Sequence, residues 1–114
     1  MRYDPVEHML SDLPGSSVSA AKSRSAAGNL VELQEGLLLG LVAEPGRTSA
    51  KYENYETLVW RDAGVVLGYM SLVSEALGLS FCPLGVTGDP HLTDYLPDGS
   101  RLEAVGLAVL GVGE

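Results

Sequence analysis

Three stretches of this chain carry side chains able to do chemistry. In "AKYENYE", residues 50–56, Lys51 directly precedes Tyr52. A free phenol ionises near pH 10, and a neighbouring cation favours the phenolate, so a Lys-Tyr pair can serve as a general base where a lone tyrosine does not. Adjacent side chains on extended backbone point to opposite sides, so the role needs a turn at this point. In "FCPLGV", residues 81–86, Gly85 has no Cβ and lets a flat ligand approach the backbone. Pro83 stiffens the entry to that turn and Leu84 offers an apolar cover. The third stretch lies between them. At 3.6 residues per turn, Arg61, Gly64, Gly68, Ser71 and Glu75 share one helical stripe, while Val59, Val66, Met70, Val73 and Leu77 lie opposite. Glycine inside a helix costs roughly 1 kcal/mol relative to alanine, so two of them one turn apart imply a close approach by another helix or by a flat ligand.

Other chemistries lack their residues. Cys82 is the one cysteine, which precludes an internal disulfide, and beside Phe81 and Pro83 it reads as a small buried strand residue. His8 and His91 stand far apart in sequence, with no partner at metal or triad spacing. No metal site is expected. Seven Lys and Arg face fifteen Asp and Glu, a formal charge of −8 that repels polyanions, so nucleic acid is an unsuitable partner.

The elements that must hold these stretches are legible in outline. A chain of 114 residues suits a single domain, 1–114, that buries roughly two-thirds of its unfolded surface. "RYDP" is an extended piece turning at Asp4-Pro5. "GSSVSAAKSRSAAG", residues 15–28, has almost no large apolar side chain and reads as a flexible loop and candidate lid. Asn29 is placed to cap a short helix carrying Leu30, Val31 and Leu33, and "GLLLGLVAE" reads as a buried strand without polar alternation. "EPGRTSAKYEN" is a connecting loop, followed by a helix from about Leu58 to Leu77 that ends at Gly78, a common residue for the first position past a helix. "LSFCPLGV" is a strand, "PHLTDYLPDGS" a helical turn closed by Pro-Asp-Gly, and "RLEAVGLAVLGVG" a last apolar strand. The expected class is α+β, a long central helix packed on a small mixed sheet. The amino-terminal residues show no signal-like pattern and no segment reaches the roughly twenty apolar residues of a membrane span, which points to a cytoplasmic protein without a membrane partner. Hydrophobic residues make up 46% of the chain, high for a small monomer, so an apolar surface is expected to meet a protein partner.

Taken in order, "RYDPVEHML", "AKYENYETLVWRDAGVVLGYMSLVSEALGLSFCPLG" and "DPHLTDYLPDGSRLEAVGLAVLGVG" resemble the carboxyl-terminal half of SagB-type, azoline dehydrogenase-like enzymes of the FMN-dependent nitroreductase superfamily. The shared order is a Tyr-Asp-Pro hairpin with a nearby histidine, a Lys-Tyr loop, an Arg-x-x-Gly helix start, an Ala-Leu-Gly-Leu ending, a flavin-side loop and a terminal strand. The resemblance implies a partial nitroreductase-like fold and FMN as cofactor. It also implies Lys51 and Tyr52 as the catalytic pair, and Pro83, Leu84 and Gly85 as the loop lining the flavin. Oxidation of azolines or related groups in a peptide substrate, in peptide-derived natural product biosynthesis, is the activity implied. In that superfamily an earlier segment supplies the arginines for the FMN phosphate, and neither Lys51 nor Arg61 matches them. A protein partner is therefore expected to supply the amino-terminal half of the flavin site, or the chain to form a homo-oligomer through the Gly64/Gly68/Ser71 helix face. The alternative is a non-catalytic scaffold subunit that pairs with a full-length homologue.

Overall fold

The structure, a computed structural model, describes residues 1–13, 17–29, 36–94 and 96–112. Leu30, Val31 and Leu33, expected on a short helix capped by Asn29, lie outside them. A hairpin opens the chain, with β1 (Arg2–Asp4) antiparallel to β2 (Met9–Ser11) and Tyr3 opposite Leu10. The Asp4 carboxylate accepts the backbone N–H groups of Val6 and Glu7 at 2.8 and 3.2 Å, so the turn forms where Asp-Pro predicts it.

Residues 15–28 depart from the expected loop. From Ser17 to Gly28 they form helix α1. Ala20, Ala21, Lys22, Arg24, Ala26 and Ala27 are mostly strong helix formers, and intrinsic propensity acts here without a large apolar face. The burial is correspondingly slight, with Ser23 and Ala27, one turn apart, packed inward. Arg24 Nη1 donates to the Gly36 carbonyl at 3.0 Å and ties α1 to the strand that follows.

The main sheet has three strands in the order β3 (Leu37–Ala43), β5 (Glu103–Val112), β4 (Leu79–Pro83). Both pairings are antiparallel, so this sheet is not mixed as expected. The reason is topological. β3 and β4 run the same way on either side of β5, and residues 84–102 turn back at the end where both finish without a helical crossover, so β5 enters between them reversed. Opposite the Leu41/Val42 step the register passes from Gly106 to Ala104, a bulge that takes in Val105. It puts Ala104 on the same side as Leu107, and these two pack with Leu92, Leu38 and Leu84. The centre of the fold is thus β5, where Ala104, Val105, Leu107 and Ala108 are all buried. β3, expected to be buried, alternates between half-buried and exposed residues as a sheet edge.

Helix α2 (Pro45–Ser49) begins on proline at its first turn and leads into helix α3 (Tyr55–Ala76). α3 starts about a turn earlier than its apolar pattern predicts, at Tyr55 after the non-helical N-cap Asn54, whose carbonyl accepts from Thr57 Oγ1 at 3.0 Å. It ends as expected at Gly78, whose φ of +71° is costly for a residue bearing a Cβ. Tyr55, Val59, Ala63, Leu67, Met70 and Ser74 form the stripe turned to the sheet, and Leu67 lies beside Gly106. No helix among the described residues is long and apolar enough to cross a membrane.

Candidate functional site

Lys51 and Tyr52 occupy the turn between α2 and α3. Their backbone N–H groups both donate to the Thr48 carbonyl at 3.0 Å, so the backbone here is turned and not extended, as a Lys-Tyr pair requires. Both side chains are exposed, Tyr52 by 56%. Pro83 closes β4. Leu84 donates its N–H to the Leu107 carbonyl at 2.8 Å and is half-buried against the Leu92, Ala104 and Leu107 cluster. Gly85 is exposed, and a Cβ placed there meets nothing within 4 Å. Since β3 and β4 run the same way, the Lys51-Tyr52 turn and the Pro83-Leu84-Gly85 turn leave the sheet at the same end, on opposite flanks of β5. Cys82, expected to be buried, is exposed because β4 is the other sheet edge.

A well-defined concavity of the described residues lies elsewhere. A cleft of about 830 Å³ opens on the sheet face opposite α3, between the hairpin, α1 and α2. Its floor is Leu38, Gly40 and Val42 from β3, with Leu107 and Leu92. None of Lys51, Tyr52, Pro83, Leu84 or Gly85 lines it. Gly40 makes this packing possible, for a Cβ there would fall 2.5 Å from Leu92 Cδ1.

Along one rim runs a chain of ion pairs that sequence reading did not find. Arg2 grips Asp98 with both terminal amino groups, at 3.0 and 3.3 Å. Asp98 also faces Arg101 at 3.8 Å, Arg101 donates to Glu44 at 3.4 Å, and Glu44 meets Arg47 Nε at 2.9 Å. The Arg2 hydrogen bond holds the Asp98 carboxyl below the usual aspartate range, and Asp98 in turn raises the Arg2 guanidinium. These partners are up to 96 residues apart, so no local spacing announces them. The network stitches the hairpin, α2 and the 3-10 turn Gly99–Arg101 together at one end of the sheet.

Two features bear on a flavin. The open backbone at Gly85 suits the edge of a planar ring. A phosphate needs guanidinium or ammonium donors beside it. Lys51 and Arg61 are the cations between Arg47 and Arg101 in sequence, and Arg61 is paired with its neighbour Asp62 at 3.1 Å. The Gly85 turn leaves room for a ring edge, and no hydrogen bond or ion pair among the described residues places a cation beside it, so these residues by themselves do not form an FMN site. Among them no group of three or more His, Cys, Asp or Glu side chains could hold a metal ion. Compared with family models, with curated proteins and with solved structures, the chain matches none.

Proposed function

We propose that this chain is a subunit of an FMN-dependent oxidoreductase whose flavin site is completed by a protein partner. The observation that carries the reading is the outer surface of α3. Val65, Tyr69 and Leu72 make one apolar row, and Val66, Val73 and Leu77 a second beside it, all between 45% and 69% exposed. The rows adjoin the stripe that packs on the sheet, so α3 carries a wide apolar arc of which only part is covered. An apolar surface of this extent marks a protein contact. The partner reading rests on that surface together with the open Gly85 turn; the flavin and the azoline-type peptide substrate rest on the sequence resemblance.

In this reading Tyr52 takes the substrate proton with Lys51 beside it, and the partner brings the cations that the FMN phosphate requires. The test is flavin content. Co-expressed with the polypeptides encoded next to it, the chain should purify as a yellow complex. A colourless complex in which α3 is covered would instead support the scaffold reading, which the exposure of Tyr52 and its distance in the fold from the large cleft already favour over a self-contained enzyme.

A further inference from the structure

The cleft on the sheet face opposite α3 combines an apolar floor with an arginine-bearing rim, and we propose that it binds a small organic anion with an unbranched apolar body, an acyl carboxylate. This site is separate from the flavin reading and does not depend on it. Its floor is aliphatic, with Leu38, Val42, Leu92 and Leu107 along it. From Leu38 to Val42 the floor runs about 13 Å at about 3.3 Å per strand residue, the reach of a medium-length alkyl chain. The α1 wall presents Ala20 and Ser23, side chains too short to cross the gap and fill it. A volume of about 830 Å³ lies within the range of small-molecule sites.

Charge decides the head group. The rim network holds Arg2, Arg47 and Arg101 against Glu44 and Asp98, and Asp4 also acts on Arg2, 3 − 3 = 0, in a chain whose total is −8. The rim is locally balanced on an acidic molecule. Arg2 and Arg101 spend their amino groups on the two carboxylates. Arg47 does not. It meets Glu44 through Nε alone, at 2.9 Å, and is 84% exposed at the mouth of the cleft. Its terminal amino groups can therefore take both oxygens of a carboxylate. A further polar group stands in the wall: Ser23 is 4% exposed and its buried Oγ has no hydrogen-bond partner among the described residues, a cost that a ligand oxygen or an accompanying water would relieve.

Decanoate titrated into the full chain, uniformly labelled with nitrogen-15, tests this below the concentration at which decanoate forms micelles. The expected result is saturable binding, with amide shifts concentrated in residues 38–42 and 46–49. Decanol should bind at least tenfold more weakly, because it lacks the charge. Arg47→Gln, at an exposed position whose ion pair is local to Glu44 three residues away, should weaken decanoate at least tenfold and leave decanol unchanged. Ala20→Trp, which fills the cleft from α1, should abolish both. Shifts concentrated on the outer rows of α3, equal binding of decanoate and decanol, undiminished binding to Arg47→Gln, or no saturation would each overturn the assignment.

Discussion

Gly40 shows how much a single position decides. It lies in an edge strand where any β-branched residue would suit the backbone, yet Leu92 Cδ1 and Cδ2 stand 2.5 and 2.7 Å from where its Cβ would be. Gly40→Val should therefore destabilise the fold by about 1–3 kcal/mol through overpacking. Leu92→Ala should recover part of that loss in the double variant, read as a less than additive fall in denaturant midpoint. Additive losses would mean the two side chains do not compete. Asp98 gives a second prediction. Its carboxyl titrates below the ordinary aspartate range when folded, so the stability it lends is complete above about pH 4 and is lost as pH falls through its lowered folded value. The gap in melting temperature between the protein and Asp98→Asn should be widest near neutrality and close in acid. A gap that persists unchanged at low pH contradicts the Arg2 pairing as its source. For Tyr52 the expectation concerns turnover. In the assembled complex Tyr52→Phe should slow turnover by about a hundred- to ten-thousandfold, as for a lost general base, while flavin content stays the same. Normal turnover would move the base to the partner or the substrate.

At the scale of elements, α3 is the most legible in sequence and α1 the least. Twenty residues of strongly apolar helical pattern with glycine after them define α3 almost to its ends. Which of its faces is covered is not legible, because the apolar arc is wider than the sheet it packs on. The bulky stripe read from periodicity splits in the structure: Val59 and Met70 turn to the sheet while Val66, Val73 and Leu77 stay exposed. Gly64 and Gly68 also face open space, since a Cβ added to either would meet nothing within 4 Å. α1 reads as a loop because apolar content is a guide to packing, and a helix built on alanine propensity buries almost nothing. The open glycines separate folding from association. Gly68→Leu has room in the isolated chain and replaces a poor helix former, so its thermal stability should hold or rise. If the small stripe meets another helix, the same change should lower the assembled mass in light scattering through overpacking. Leu72→Glu, on the outer apolar row, should dissociate the assembly as well. An unchanged mass for both variants would place the contact off α3.

For the whole molecule, the α+β class, the opening hairpin, strands β3 to β5 and helix α3 follow from local pattern, whereas α1 and α2 fall where loops were expected and the antiparallel sheet depends on how residues 84–102 return the chain. The Lys51-Tyr52 and Pro83-Leu84-Gly85 turns are legible as candidates because each is a contiguous run, and topology brings both to one end of the sheet. The cleft and its arginines are not, since they gather residues from Arg2 to Leu107 that share no motif. What unites these observations is a small core around β5 beside a large uncovered helix face, with ring-edge backbone at Gly85 and no phosphate cradle next to it. Under the proposed reading the chain alone should not hold FMN: its charge of −8 opposes a phosphate, and the cations that would offset it would have to come from a partner. The direct measurement is flavin absorbance of the purified chain and of its complex, each after exhaustive dialysis against flavin-free buffer. The chain should be colourless and the complex stoichiometrically yellow; a chain that retains stoichiometric flavin on its own would contradict a site completed by a partner.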